Sequence, residues 1–344
     1  MANSHEERND QGFNNIRNSS MDKREKKGTL RAYTFLGIII LTAILIVTLL
    51  VTAIGAIIAN VADKNGDDPN PAPTGSIKWT SITVTDADTK AGPLTLVNAT
   101  HEYIFPETDD HLGLIYAAWA KHTPTVYKLG LSSHMEQTAL SAMDSMLADF
   151  SAATGKTDVL VRYAYRSAEE QTALGSSTPA GFSDHHTGFG CDLKYLKDGK
   201  QYDLSADPTY AWISENCQKY GFVVRYPDAK QEITGVSDYE SYFRYVGVAH
   251  ATYMTANDLC MEEYLELLRT QKNPLKVTGA DGNKYEIYYY AAAGDTEVDV
   301  PTNYAYTISG TNDGGVVVTV NRSKAPIPTE TETATDVTET GDEA

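Results

Sequence analysis

The segment Ser183-Asp184-His185-His186-Thr187-Gly188-Phe189-Gly190-Cys191-Asp192 sets an imidazole and a carboxylate, His185 and Asp192, on either side of two glycines. Glycine reaches backbone angles closed to other residues, so a sharp turn here can bring both side chains to one ion. An imidazole nitrogen and a carboxylate oxygen are both groups that can ligate a metal ion. A histidine beside an aspartate also makes ordinary hydrogen bonds, so the surrounding chain has to decide.

Outward from this segment the pattern is mixed. Val159 to Tyr165 is a β-rich run, Ala211 to Tyr220 has helical spacing, Phe222 to Arg225 is short and apolar, and Met254 to Leu268 is helical again. Upstream, Ser133 and Glu136 form a capping pair ahead of Leu140, Met143, Met146, Leu147 and Phe150 at helical spacing, and Gly155 ends the run. Ile77 to Val84 alternates as a half-exposed strand does, and Pro93 to Val97 reads as a second short strand. No regular βαβ repeat occurs, so the fold class is α+β, with residues 76–272 as one domain.

From Asn273 the character changes. Leu275 to Val277, Lys284 to Tyr290 and Val316 to Val320 read as strands separated by turns such as Asp281-Gly282 and Asn312-Asp313-Gly314. Residues 273–322 are expected to form a small all-β appendage, and the Thr-, Glu- and Asp-rich 323–344 a disordered acidic tail. Cys191, Cys217 and Cys260 cannot all pair within one chain and match no CxxC metal spacing, so they read as small core residues.

Phe35 to Ile58 carries no charge and no proline, which is long enough for a helix to cross a bilayer. A cleaved signal peptide has a shorter apolar region nearer the start. Arg17, Lys23, Arg24, Lys26, Lys27 and Arg31 precede the span and Asp63, Asp67 and Asp68 follow it. The basic tail 1–34 should therefore stay in the cytoplasm, with the single-pass helix at 35–58, a linker at 59–75 and the folded part outside the cell membrane. A formal net charge of −18 argues against nucleic-acid partners.

Further motifs occur in order: Tyr165-Arg166-Ser167, Glu170-Gln171, the Ser183 segment, Trp212 to Asn216, Lys219 to Pro227, Thr234-Gly235 and Phe243-Arg244-Tyr245-Val246-Gly247. This set, over roughly Leu94 to Leu268, resembles the VanY-type D-alanyl-D-alanine carboxypeptidases of peptidase family M15, subfamily M15B. The resemblance implies a LAS-type metallopeptidase domain with a small β-sheet, acting on peptidoglycan peptides that end in D-Ala-D-Ala. It also implies zinc ligands at His185 and Asp192, and a substrate-side role for Arg166 and Ser183. A guanidinium suits a carboxylate or a developing oxyanion because it offers parallel hydrogen bonds.

One motif departs from the family. The family reads E-P-W-H before an aromatic residue and R-Y-V-G, with the glutamate as base and the histidine as third ligand. Here Tyr239-Glu240-Ser241-Tyr242 stands in that place. Tyr242 as a phenolate, or His250, His186 or Glu240, could complete the ligand set, and Glu240 is the candidate base. The alternative is a module of the same fold that binds wall peptides without cutting them.

Overall fold

The computed structural model describes residues 74–237 and 239–326. The expected span at 35–58, the cytoplasmic tail, most of the linker and most of the acidic tail lie outside the described residues. Among those described, no helix is long and apolar enough to cross a membrane.

Along the chain come β1 (Trp79–Val84), β2 (Leu112–Leu114), α1 (Ile115–Trp119), β3 (Lys128–Leu129), β4 (His134–Glu136), α2 (Gln137–Thr154), β5 (Val159–Tyr163) and α3 (Ala168–Ala173). Next are β6 (Gly190–Lys197), β7 (Lys200–Asp203), α4 (Ala211–Asn216), β8 (Phe222–Val224), α5 (Gln231–Thr234), β9 (Tyr242–Tyr245), α6 (Val248–Ala256) and α7 (Met261–Thr270). The chain closes with β10 (Leu275–Thr278), β11 (Lys284–Ala291), β12 (Thr296–Pro301), β13 (Ala305–Gly310) and β14 (Gly315–Asn321). Helices and strands are mixed without βαβ regularity, as the α+β reading expects.

The sheet that carries the site runs β3-β5-β6-β9-β8, with β7 also paired to β6. Its backing is α2, whose Met143, Leu147 and Phe150 are fully buried in one core with Val159, Cys191, Leu193, Phe222 and Phe243. Each such side chain contributes about 1.5–3 kcal/mol by leaving water. The helix starts later than the Ser133 cap implied. His134–Glu136 is extended and pairs with β2, and the Glu136 carboxylate caps the helix by accepting from the Thr138 and Ala139 amides. At the other end Gly155, at φ 72°, donates its amide to Ser151 O.

Two other expectations change. Pro93 to Val97 forms no strand, although Leu94, Leu96 and Val97 are buried; the Leu96 amide instead bonds Thr311 O at 2.8 Å. The helical run from Met254 breaks between α6 and α7, where Asp258 has φ 51° and the Cys260 amide donates to Glu263 Oε2. All three cysteines are free and buried, as the core reading expects.

The boundary expected at residue 273 does not interrupt the packing. β10, β11, β14 and β13 form one sheet, and its Val277, Ile287 and Val317 share a core with Leu94, Leu96, Val246, Met254 and Leu265. β1, from the other end of the described chain, pairs along its whole length with β12. A buried bridge reinforces the join: His250 on α6 meets Tyr264 Oη at 2.7 Å and Thr319 Oγ1 at 2.9 Å.

Candidate functional site: a peptide cleft on the central sheet

Three adjacent strands set the floor. Asp192 on β6 lies opposite Tyr163 on β5 and Tyr242 on β9, so the three side chains sit side by side. The pairing of β5 and β6 shifts register between Val161 and Tyr163, and Arg162 and Tyr163 both line the cleft at that irregularity. His185 arrives on a single 3-10 turn, Asp184–Thr187, ended by Gly188 at φ 70°. A Cβ at Gly188 would also meet the Glu136 backbone nitrogen at 3.1 Å, so both the angle and the space require glycine.

The result is a cavity of about 680 Å³ lined by Arg162, Arg166, Ser183, His185, Asp192 and Tyr239, with further residues around them. Thus four of the residues singled out from the sequence, Arg166, Ser183, His185 and Asp192, come together. Glu240 does not join them. Its carboxylate accepts from the Asp228 amide at 3.2 Å and lines a separate cavity of about 560 Å³ with Asp203 and Asp228.

His185 Nδ1 lies 2.6 Å from Ala164 O, which places its proton on Nδ1 and its lone pair on Nε2. Tyr239 Oη is 3.0 Å from that Nε2. Burial first, and then the Arg166 charge, lower the His185 pKa to about 4, so the ring is neutral at pH 7. Asp192 accepts from Ser241 Oγ at 2.8 Å and has Arg162 Nη1 3.5 Å from its other oxygen. Desolvation raises its pKa in spite of those partners.

Tyr242 is fully buried, and its hydroxyl donates to Asp184 Oδ2 at 3.0 Å. Burial, and then the Asp184 charge, push its pKa well above the ordinary tyrosine value, so it is a neutral phenol rather than a phenolate ligand. Asp184 also pairs with Arg244 and lies 3.6 Å from Arg225 Nε. Arg225 in turn grips Glu262 with two bonds of 2.9 and 2.8 Å. A Cβ at Gly190 would fall 2.0 Å from Tyr242 Oη, so this glycine makes room for the phenol.

The other substitute ligands are placed elsewhere. His186 is held by Arg166 O at 2.6 Å and by the Gly181 amide at 3.0 Å, and His250 belongs to the second core. Among the described residues no three His, Cys, Asp or Glu side chains are arranged to hold a metal. The residues present therefore do not fit the three-ligand zinc site that the family resemblance implies.

On the substrate side, Arg166 Nη1 donates to Gln171 Oε1 at 2.6 Å, and Gln171 is itself anchored to Thr178 O at 2.7 Å. The guanidinium groups of Arg162 and Arg166 lie 4.8 and 5.4 Å from the centre of the Tyr163 ring. Tyr226, Tyr239 and Tyr242 stack at 5.4–5.8 Å to wall the far side. Arg162, Ser241, Asp184 and Tyr226 have no role in the motif reading. Only the strand register and the long-range fold bring them in.

A sheet-floored cleft with this motif order defines a peptidase-type domain. The comparisons identify it further: residues 132–248 match the family model "VanY: D-alanyl-D-alanine carboxypeptidase". A D-alanyl-D-alanine carboxypeptidase of Enterococcus faecium is 31% identical over 247 residues, spanning 69% of this chain and 78% of that protein. The bifunctional D-Ala-D-Ala dipeptidase and carboxypeptidase VanXYC of Enterococcus gallinarum is 39% identical over 93 residues, 26% of this chain and 48% of that one. The vancomycin-resistance D,D-dipeptidase VanXYg, solved with a D-Ala-D-Ala phosphinate analogue, superposes with a TM-score of 0.61 at 26% identity, covering 71% of this chain and 99% of that one. The chain belongs to the VanY D-alanyl-D-alanine carboxypeptidase family, a family of peptide hydrolases.

Proposed function

We propose that the chain acts on peptidoglycan stem peptides ending in D-Ala-D-Ala, as a carboxypeptidase of its family, at the outer face of the cell membrane and tethered by Phe35 to Ile58. One observation supports this most directly: the cleft joins Arg166 and Arg162 to His185 and Asp192, the two intact positions of the family motif. Among the described residues Arg166 is steadied by the neutral amide of Gln171, which leaves its charge for a peptide carboxylate. Such charge-assisted pairs are about twice as strong as neutral hydrogen bonds. The uncharged span and its basic flank support the tether and its orientation.

A second reading keeps the ligand and drops the reaction. It is favoured by the Tyr239 hydroxyl on His185 Nε2 and by the position of Glu240, the candidate base, whose carboxylate bonds the Asp228 amide outside the cleft. Incubating the purified chain with a D-Ala-D-Ala-ended pentapeptide separates the two. Release of one D-Ala per peptide supports hydrolysis. Saturable binding with no release supports the silent module, and neither binding nor release removes the peptide from both readings.

A further inference from the structure

We infer that this cleft is complete without a metal ion: Tyr239, Ser241 and Arg162 hold the donor atoms of His185 and Asp192, and side chains alone bind the peptide. For the identity of the peptide the inference rests on the reading above. The metal-free site does not.

The case is made atom by atom. A carbonyl on one histidine nitrogen is the usual way to aim the other nitrogen at a metal, and Ala164 O does this to His185. The Nε2 lone pair so presented is already taken by the Tyr239 hydroxyl at 3.0 Å. On Asp192, Ser241 Oγ occupies one oxygen at 2.8 Å, and Arg162 supplies positive charge 3.5 Å from the other. The carboxylate therefore has a counter-charge within the chain.

Tyr242, opposite Asp192 in register, turns its oxygen to Asp184 at 3.0 Å and so gives no third ligand. Stacking locks the arrangement. The Tyr239 ring lies 5.8 Å from Tyr226 and 5.4 Å from Tyr242, so drawing its hydroxyl off His185 would disturb both contacts. A zinc ion entering here would have to displace a hydrogen-bonded phenol from His185 and sit beside the Arg162 guanidinium at Asp192. It would gain two protein ligands, where zinc sites ordinarily have three or four.

The test uses the full chain in detergent. After equilibration with zinc chloride and removal of free metal, the wild-type chain should retain less than about 0.1 zinc per chain, and its affinity for a D-Ala-D-Ala-ended pentapeptide should agree within about twofold in zinc and in EDTA. Tyr239→Phe removes only the hydroxyl and keeps the stack. It should tighten zinc binding by up to about tenfold, the worth of one hydrogen bond. Tyr239→Glu with Tyr242→His should tighten it by on the order of 100-fold or more. Should that double variant misfold, the wild-type metal content and the single variant still decide. One tightly held zinc per wild-type chain, or loss of peptide binding in EDTA, would overturn the inference. Absence of both zinc and peptide binding would leave the metal-free site standing and remove the peptide.

Discussion

Replacing Asp184 should be among the most damaging single changes in the domain. Its side chain is about 2% exposed and takes Arg244, the Tyr242 hydroxyl at 3.0 Å and Arg225 Nε at 3.6 Å. Arg225 keeps Glu262, but Arg244 would retain only the carbonyls of Pro93 and Thr95, at 3.1 and 3.0 Å. Removing one partner from a buried pair costs about 3–5 kcal/mol, because the remaining charge stays in a low-dielectric interior. We therefore expect Asp184→Ala to lose about 3–5 kcal/mol at pH 7, a fall in Tm of roughly 6–20 °C for a domain of this size. Asp184→Asn keeps the shape without the charge and should fall between Ala and wild type. Burial opposes the Asp184 charge, but Arg244 and Arg225 outweigh it and the pKa is lowered. Its contribution is thus present above the unfolded carboxylate pKa and lost as pH falls through the folded one, so the Ala and wild-type stabilities should converge in acid. Urea unfolding followed by circular dichroism measures both. A loss below about 1 kcal/mol at pH 7 would show that Arg225 and Arg244 are balanced without Asp184.

Other outcomes follow from the same geometry. Burial lowers the His250 pKa to about 3 from 6.5, so between those values the unfolded chain binds the extra proton and stability falls with pH. His250 alone should cost about 2 kcal/mol on going from pH 7 to pH 5, and urea unfolding of His250→Gln at both pH values should lack that share. Arg166→Ala should weaken binding of a D-Ala-ended peptide by roughly 10- to 100-fold, measured by calorimetry, while leaving Tm nearly unchanged. A chain ending at Lys272 should not unfold cooperatively, because it lacks Val277, Ile287 and Val317, whose burial is worth about 5–9 kcal/mol together, comparable with the whole stability of a domain. Protease added to intact cells should remove the region beyond Asn65, and cutting of the first thirty residues instead would reverse the proposed orientation.

His185, Asp192 and Arg166 were legible because each sits in a short local pattern whose glycine or serine punctuation limits the backbone. The runs that became β5, β8 and β14 were legible because apolar and β-branched residues crowd them. Thr296–Pro301 and Ala305–Gly310 are strands that local sequence does not signal, because their patterning is weak and β12 finds its partner in β1, at the opposite end of the folded region. The cap of α2 was misplaced by one competing pairing, since extension of His134–Glu136 against β2 leaves Glu136 rather than Ser133 at the helix entrance. Residues 273–322 divide between two cores: Val298, Val300, Tyr304, Val316, Val318 and Val320 form one with Val84 of β1, whereas Val277, Ile287 and Val317 join the core of α6 and α7. Composition marks the change to strands but carries no sign that α6 and α7 turn apolar faces toward them.

The position of Glu240 settles a point of alignment that sequence leaves open. Sliding the motif by one residue would make Glu240 the base and delete the histidine, whereas the ungapped reading sets Tyr239 and Tyr242 in the two missing places. Tyr239 and Glu240 lie in the turn that leads into β9, closed by the Tyr242 amide on Tyr239 O at 3.2 Å, and there Tyr239 reaches His185 while Glu240 bonds the Asp228 amide in the other cavity. Tyr242 lines the cleft opposite Asp192, where a third ligand would stand. The ungapped reading is therefore the physical one. It follows that the two tyrosines are coupled: Tyr242 packs its ring 4.6 Å from His185 and 5.4 Å from Tyr239, and Gly190 leaves space for its hydroxyl to reach Asp184. A histidine placed at 242 alone would lose that hydroxyl's bond to Asp184 and still face a His185 whose lone pair is occupied. The single change should accordingly destabilise the cleft without gaining zinc, and only together with Tyr239→Glu should the metal enter.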